Sequence, residues 1–539
     1  MAVGALREIA RSYFDLRWHL DPVAATQAGL TDYDDRFGRF SPDALRPHLA
    51  ALKSIGSALE GAPAESLDDE IDRTALLNDG RVTLARFERE RPQAKDPAFW
   101  LSHLLGGLHF LLLRNDRTPA ERVRALTGRL EDVPQLLDDA RAALVEPVRL
   151  FVETALSMTA GGLLLVKEIA TTLPVPGPGE AERLRVAAER ASAALADFEH
   201  DLERWLESAS DRFALGEEPF NFRLHYEHAL RDTAPELWRY GLHLREELEA
   251  DLAQRAARLG NGKHWRDVVE RLRADHLDGA ALVGAYAREM ERARTFVEQR
   301  GLAPIPDGRL DVVPTPAFMR PLIPFAAYHS PGPYSRDRTG WFYVTVPDAA
   351  LPPAKQERIL RDHCRWELAA TALHEGYPGH HLQFVHAQAQ ASDVRKNIWT
   401  PVTVEGWALY CEDMMGEEGF YRTEEEQLFQ RLHLLWRAVR VLLDVGLHTR
   451  GMSFDESVEW LTALGMDRTN AEAEVRRYCA EPAYALCYAV GRRELLKLRE
   501  DYRAARGAAF TLRQFHDAVL RYGGLPVTLI RWGLGFNER

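Results

Sequence analysis

Cysteine is scarce in this chain of 539 residues, which has only Cys364, Cys411, Cys479 and Cys487. No CxxC pair occurs, and so few cysteines exclude a disulfide framework in a chain of this length. We therefore expect reduced thiols, as in proteins of a reducing compartment. The first residues, MAVGALREIARSYFDLRWHLDP, carry charges throughout and contain no apolar signal core. Together these features predict a cytoplasmic protein.

Long hydrophobic runs, excess positive charge and nucleotide-binding glycine motifs are also missing. The most apolar stretch, 104-LLGGLHFLLL-113, is shorter than the roughly 20 residues that a membrane-spanning helix needs. The formal net charge of −13 argues against nucleic-acid or anionic-membrane partners. No Rossmann glycine fingerprint, Walker sequence or GxSxG occurs, so nucleotide-binding and serine-hydrolase functions gain no support.

Helix signals dominate what is present. Residues 183–209 and 233–259 have the spacing of long amphipathic helices, and 173-LPVPGPG-179 predicts a surface loop. Capping boxes, in which a hydroxyl caps the first turn and an acid or amide reaches back, recur at Thr118–Glu121, Thr423–Glu426, Ser453–Glu456, Thr469–Glu472 and Thr511–Gln514. The expected fold class is mainly α, with a large multi-helix body.

The predicted organisation has three parts: a helical N-terminal half at 1–300, a small β and loop segment at 301–350, and a helical half at 351–539. The middle segment is rich in proline and glycine and contains the β-like runs 309-RLDVV-313 and 340-GWFYVTV-346. It predicts two or three strands. The second run is interpreted either as a strand that pairs with an extended substrate or as a structural hairpin. Helix should resume over 357–375.

The stretch 374-HEGYPGHH-381 begins like a zinc-protease helix but has Pro378 where the second histidine is expected. On a straight helix His380 would point about 240° away from His374, and His381 would lie about 10 Å further along. The intervening glycines and proline interrupt the helix, because proline removes a donor and glycine tolerates unusual dihedral angles. A two-residue bulge would therefore align His374 with His380 as metal ligands.

A third ligand should come from 400-TPVTVEGWALYCEDMM-415, which places Glu405 25 positions after His380. A carboxylate in so apolar a segment needs a partner, and a metal ion is one. A catalytic zinc takes three protein ligands and leaves one position open, which His374, His380 and Glu405 would satisfy. The spacing favours His380 over His381 and leaves His381 as an alternative.

Four stretches resemble a bacterial family known as domain of unknown function 885: HExxPGHHxQ at 374–383, EGWALY at 405–410, PAYALCYAVG at 482–491 and DPVAATQAGLTDYDDR at 21–36. They span most of the chain, so residues 1–539 are treated as one family-length unit. The resemblance implies a helical zinc-peptidase-like fold of the glutamate-zincin kind, similar to thimet oligopeptidase and angiotensin-converting enzyme, whose relatives place their glutamate ligand at this register.

The chain departs from that family pattern at three positions. Ala483 and Tyr484 stand where the pattern has Gly-Gln, and Cys487 stands where it has Ser. Any role of these three positions is therefore in doubt, whereas Tyr488 is matched.

In a zincin, Glu375 would take a proton from the attacking water and pass it to the leaving amine. Tyr488, from a later helix, would stabilise the oxyanion. Tyr484, one turn earlier, and His381 are further candidates for substrate binding, and Arg492 could hold a substrate carboxylate. Each has a structural alternative: a solvated carboxylate, a core aromatic or histidine, or a surface charge.

The leading hypothesis is a zinc-dependent metallopeptidase-like hydrolase of peptide or related amide bonds. Because zinc-activated water attacks esters as well, an esterase or non-peptide amidase is one alternative. The other is a non-catalytic helical binding protein with a degenerate site, which Pro378 at the usual histidine position keeps open. The expected partner is a peptide or small amide substrate, and the oligomeric state is left open.

Overall fold

The computed structural model describes residues 2–114, 116–260, 263–316, 320, 323 and 325–536. It divides into two compact units, the first comprising Met1–Phe213 with Pro331–Arg338, the second Ala214–Ser330 with Thr339–Arg539. The predicted fold class is confirmed, since the chain is mainly helical with one small sheet.

The first unit is built from nine α-helices and one π-helical turn at Arg86–Glu90 among its described residues. The α-helices are α1 (Ala2–Leu20), α2 (Pro22–Ala28), α3 (Pro42–Gly61), α4 (Leu67–Ala85), α5 (Pro92–Lys95), α6 (Pro97–Leu113), α7 (Pro119–Ala143), α8 (Arg149–Thr172) and α9 (Pro178–Ser208). Proline opens several of them, because its fixed φ suits the first helical position and its missing N–H is not needed there. The capping box predicted at Thr118 and Glu121 is present in full at the start of α7.

Helix α8 is long and apolar enough to cross a membrane, with a mean hydropathy of 1.4 over its most apolar window, of which 33% is buried. No other described helix reaches that length and hydropathy. Val152, Val166 and Ile169 of α8 lie in the core of the first unit, where α6 and α9 pack against the helix. Core helices of soluble proteins pass the same test, so length and hydropathy are weak evidence for a membrane span.

The second unit carries the remaining helices and the sheet. Its described α-helices are α10 (Glu217–Tyr226), α11 (Ala234–Gly260), α12 (Trp265–Arg273), α13 (Gly279–Arg300), α14 (Pro353–Arg361), α15 (Leu368–Glu375), α16 (His380–Gln388), α17 (Asp393–Asn397), α18 (Pro401–Glu417), α19 (Glu424–Thr449), α20 (Phe454–Ala463), α21 (Arg468–Ala480), α22 (Cys487–Arg506), α23 (Leu512–Leu520) and α24 (Val527–Gly533). A 3₁₀ turn at Gly507–Ala509 follows α22.

The predicted helix starts hold with two corrections. Thr423, Ser453 and Thr511 each accept a hydrogen bond from the backbone N–H three residues on, as N-caps do. The box predicted at Thr469 is wrong, because Asp467 caps α21 and Thr469 already lies inside the helix. The loop predicted at 173–179 is shorter than expected, since α9 begins at Pro178.

The sheet has three strands among the described residues, in the order β1 (Leu310–Pro314), β3 (Gly340–Val344), β2 (Ala326–His329). The runs 309–313 and 340–346 predicted β1 and β3, but no signal predicted β2. Strand β3 is central, parallel to β1 and antiparallel to β2, so both of its edges are already paired. It therefore offers no free edge for the substrate pairing considered from the sequence.

The sheet packs on the helix that leads into the histidine motif. Phe342 and Val344 of β3 share a buried cluster with Tyr286 of α13 and with Leu368 and Ala372 of α15. The helix predicted over 357–375 is in fact interrupted, because α14 ends at Arg361 and α15 begins at Leu368. The buried His363 occupies the interruption. This packing fixes α15, and with it His374, against the sheet.

Candidate metal centre

The break predicted in the histidine motif is confirmed. Helix α15 ends at Glu375 and α16 begins at His380, with a cis Tyr377–Pro378 peptide bond between them. Gly379 has no room for a side chain, because an added Cβ would lie 1.8 Å from the carbonyl oxygen of His374. The turn is held from behind by Trp407, whose indole Nε1 donates to the carbonyl of Pro378 over 2.9 Å.

The break brings His374, His380 and Glu405 together, with ligand atoms all within 4.8 Å of one another. The Oε2 atom of Glu405 lies 3.3 Å from Nε2 of His380 and 3.9 Å from Nε2 of His374. Ligands around a tetrahedral zinc at about 2.1 Å are about 3.4 Å apart. All three residues are buried. Among the described residues this is the one group of three such side chains placed to hold a metal ion.

Neighbouring polar groups orient two of these side chains. Nδ1 of His374 donates to Oε1 of Glu412 over 2.8 Å, which turns Nε2 of the same ring towards Glu405. The hydroxyl of Tyr484 donates to Oε1 of Glu405 over 2.8 Å, leaving Oε2 facing both imidazoles. A carboxylate behind a ligating histidine is the usual way in which proteins fix the tautomer of a metal-binding imidazole.

The pKa values of His374 and Glu405 depend on each other's charge. Burial alone would lower the pKa of His374, but hydrogen bonds to Glu405 and Glu412 outweigh it and raise that pKa to about 9. Burial would raise the pKa of Glu405, yet hydrogen bonds from His374 and His380 hold it well below its ordinary value. Nδ1 of His380 is buried without a hydrogen-bond partner. Two imidazole nitrogens and an ionised carboxylate, facing one another in a buried space, are a donor set that suits Zn²⁺.

His381 belongs to a different environment. Its Nδ1 lies 3.1 Å from the hydroxyl of Tyr328 on β2, and a Cβ added to Gly340 of β3 would come within 2.6 Å of it. Burial lowers the pKa of His381 to about 4. His381 therefore contacts the sheet, and it is His380 that the structure brings beside His374.

Glu375, the predicted general base, is half-buried at the last position of α15, directly after His374. Its carboxylate makes no hydrogen bond or ion pair with any described residue. The charge of Glu375 nevertheless contributes to raising the pKa of His374, so the two side chains interact electrostatically.

The Tyr488 ring stacks on the imidazole of His374, one of the three candidate metal ligands. The two ring centres lie 6.5 Å apart, with 19° between the ring planes, and the Tyr488 hydroxyl makes no hydrogen bond within the described part of the chain. Burial, followed by the charge of Glu405, raises the pKa of Tyr488 to about 12, so the hydroxyl keeps its proton at neutral pH. The hydroxyl therefore remains a proton donor, and no described residue accepts a hydrogen bond from it.

Close packing of α18 on α22 brings the tyrosines to Glu405. A Cβ on Gly406 would come within 2.5 Å of the Gly491 backbone, and a Cβ on Gly491 within 1.8 Å of the carbonyl of Val402. The two helices therefore touch main chain to main chain. Glu405 precedes one glycine, and Tyr488 lies three residues before the other.

The turn that leads into α22 is held by Asp444. Its carboxylate accepts from the backbone N–H groups of Ala483 and Leu486, each over 3.0 Å. Ala483 adopts φ 66°, a left-handed conformation that glycine takes without strain. Glycine, which the resembling family pattern has at this position, would adopt this conformation without strain.

Arg492 is paired with Asp413. Its Nε donates to Asp413, and both line a polar cavity of about 270 Å³ together with Arg255, Tyr421 and Arg431. The substrate-binding role predicted for Arg492 gains no support from this position.

Sequence reasoning missed two features of the site: Glu412 and an aromatic wall formed by Phe384 and Trp399. Glu412 lies seven residues after Glu405, on the same face of α18, so helical periodicity could have indicated it. In the wall, the Phe384 ring lies 6.3 Å from His380 and 6.4 Å from the ring of Trp399, which is 49% exposed. No local pattern predicted that these rings would meet.

Comparison with known proteins identifies relatives but no activity. A family model described as "Bacterial protein of unknown function (DUF885)" matches residues 22–533. A "putative lipoprotein of unknown function" from Shewanella oneidensis has a similar solved structure, with TM-score 0.81, 22% identity, and coverage of 98% of this chain and 100% of that one. A "putative lipoprotein" from Colwellia psychrerythraea gives TM-score 0.86, 17% identity and coverage of 99% of both chains. At these identities the likeness concerns the fold alone. No curated protein matches.

Proposed function

The chain belongs to the bacterial family of unknown function DUF885, and from that premise we propose that it is a zinc-dependent hydrolase of peptide or related amide bonds. The observation that carries the proposal is the buried convergence of His374, His380 and Glu405 directly beside the free carboxylate of Glu375. A structural zinc site is closed by four protein ligands, whereas a catalytic site has three and an open position. Three ligands next to an unpaired carboxylate match the catalytic arrangement.

His374, His380 and Glu405 would hold the zinc ion, which when bound polarises a carbonyl and makes water a nucleophile at neutral pH. The carboxylate of Glu375 accepts a proton from the attacking water and returns it to the leaving nitrogen. The hydroxyl of Tyr488 donates a hydrogen bond to the oxyanion that develops on the carbonyl. Glu412 keeps the His374 ring oriented throughout.

The surroundings of the cluster favour a substrate with an apolar portion. Phe384 lies one turn after His380 on α16, and its ring is flanked by Tyr328 at 6.4 Å and Trp399 at 6.4 Å. Trp399 is held in place by backbone pairing of its neighbour Thr400 with Gly524 over 2.9 Å. An exposed tryptophan that reaches His380 through the Phe384 ring offers a surface for an aromatic or aliphatic side chain.

The test combines metal content with cleavage. Zinc per chain is measured on the purified protein, and a peptide pool is digested with and without a chelator and read by mass spectrometry. We expect about one zinc per chain and chelator-sensitive cleavage that is absent from Glu375→Gln. A zinc-loaded protein that cleaves no peptide but hydrolyses esters or non-peptide amides would transfer the proposal to those substrates. A protein without stoichiometric zinc would support a binding role with a degenerate site.

We further propose a cytoplasmic location, based on the scarcity of cysteine. The two solved relatives are each described as a putative lipoprotein, and a membrane-anchored location is the alternative. Fractionation of cells expressing the tagged chain, followed by measurement of the mass of the mature protein, distinguishes the two.

A further inference from the structure

Arg437 on α19 is a cation without an anionic partner in the part of the chain that the structure describes. Its Nη1 donates to the carbonyl of His433 in the preceding turn over 3.2 Å, and its Nε is buried with no hydrogen-bond partner. It forms no ion pair with any described residue. A guanidinium that is partly removed from water and has no anionic partner gains stability when an anion binds it.

The position of Arg437 links it to the candidate metal centre. Its Cζ lies 5.8 Å from the ring centre of Tyr488 and 5.0 Å from that of Trp436. Tyr488 in turn stacks on His374. Arg437 is only half-buried, so part of the side chain is open to a ligand.

The neighbouring arginines have partners of their own. Arg440 donates to Tyr478 over 2.7 Å and to Glu474 over 2.8 Å, and Arg477 donates to Glu474 over 2.9 Å. Of the three arginines Arg437, Arg440 and Arg477, Arg437 is the one that makes no ion pair with a described residue.

The nearby acid that could match Arg437 is Glu412. Arg437 and Glu412 interact electrostatically but make no ion pair, and Oε2 of Glu412 is itself buried without a partner among the described residues. Oε1 of Glu412 is already engaged by His374. If the only role of Arg437 and Glu412 were to neutralise each other's charge, we would expect a direct ion pair between them.

We propose that Arg437 binds a free carboxylate of the substrate, so that the site acts on amides whose amine portion is a C-terminal amino acid. This inference rests on the function proposed above and names its substrate class. Arginine suits the task because its planar fork matches a carboxylate in a bidentate manner and remains charged at every working pH. The substrate carboxylate supplies the anion that Arg437 lacks, while Phe384 and Trp399 contact the apolar portion.

The experiment compares wild type with Arg437→Met after the zinc content of each has been measured. Calorimetric titration with N-acetyl-L-phenylalanine and with N-acetyl-L-phenylalaninamide gives the preference for the carboxylate over the carboxamide. Turnover of N-acylated dipeptides with a free or an amidated C terminus gives the same comparison in KM and kcat. Arg431→Met is the matched control, because Arg431 lies on the same helix but is paired with Asp413 and Asp251.

In wild type and in Arg431→Met we expect the acid to bind about 10- to 100-fold more tightly than the amide, the range of a charge-assisted hydrogen bond. In Arg437→Met, with zinc retained, that preference should vanish, and KM should rise for the free acid only. Equal loss of kcat on both substrates would overturn the proposal, because it would mean that Arg437 only positions Glu412. Equal binding of acid and amide by wild type would overturn it as well. Absence of turnover on both substrates would instead count against the proposed hydrolase, since the binding comparison still decides the role of Arg437.

Discussion

The His374 imidazole donates from Nδ1 to Oε1 of Glu412 across 2.8 Å, and Glu412 is 1% exposed. Through this bond a residue that touches no substrate determines which nitrogen of His374 is available to a metal ion. We expect Glu412→Gln to keep the hydrogen bond but remove the charge, and so to weaken zinc affinity about 10- to 100-fold. Competition with a chelator of known affinity measures the change. Glu417→Gln, on the same helix but paired with Arg499, should leave affinity unchanged, and equal affinities in both variants would contradict the orienting role.

Glu375 is the predicted acid–base group. In Glu375→Gln zinc should remain at the wild-type level, because the carboxylate is not a ligand, while kcat falls about 10²-fold or more. Zinc per chain and turnover on the peptide pool are the two measurements. Glu291→Gln, at an exposed ion pair with Arg294, is the control. Full turnover in Glu375→Gln would remove the proposed mechanism even if zinc were bound.

Substitution of the two adjacent histidines should have different effects on zinc binding and stability. His380→Ala should lose zinc and activity together, because His380 faces Glu405 at 3.3 Å. His381→Ala should keep zinc but lose about 2 kcal/mol of stability, as expected for a fully buried side chain bonded to Tyr328. Metal analysis and thermal unfolding distinguish the variants, and the reverse pattern would show that His381 is the ligand.

The glycine pair between α18 and α22 leaves no space for a methyl group. Gly406→Ala would put a Cβ 2.5 Å from the Gly491 backbone, so the helices must separate. We expect a loss of about 1–3 kcal/mol of stability, as for other overpacked cores, together with weaker zinc binding as Tyr484 withdraws from Glu405. Gly284→Ala, at an exposed position of α13, serves as the control and should be neutral or slightly stabilising. A neutral Gly406→Ala would mean that the two helices can part without cost.

Ala483 holds a left-handed conformation that costs a side-chain-bearing residue roughly 1–2 kcal/mol. Ala483→Gly removes this strain but gives the unfolded chain more freedom, which costs roughly 0.5–1 kcal/mol. We therefore expect a net gain of about 0.5–1 kcal/mol, seen as a small rise in Tm with zinc content unchanged. A lower Tm would indicate that the buried methyl group of Ala483 contributes more by packing than its backbone strain costs.

Much of the helical framework and the core of the site follow from local sequence. Capping residues, proline at first helical positions and glycine–proline interruptions act within one turn of chain, so the break between Glu375 and His380 was predictable. One distant ligand, Glu405, was also predictable, because the family resemblance indicated a glutamate ligand at this spacing from His380.

Features that depend on contacts between distant segments were not predictable. Strand β2 is four residues long and is defined by its pairing with β3. Arg437 looks like any other charge on α19 until Tyr488 is placed beside it. The N-cap of α21 is Asp467 and not Thr469. Several polar residues lie near this helix start, and the local sequence does not show which of them caps it.

All four cysteines are buried, so the rate at which a thiol reagent modifies them measures how often the chain opens locally. Cys411 lies behind the histidine turn, with its thiol 3.7 Å from the carbonyl of Pro378, and burial raises the pKa of that thiol well above its ordinary value. A thiol reagent reaches it only when the turn leaves α18, so its modification rate follows the population of that opened state. A ligand that binds only when the turn is closed should slow alkylation of Cys411 by the factor 1 + L/Kd, where L is the free ligand concentration.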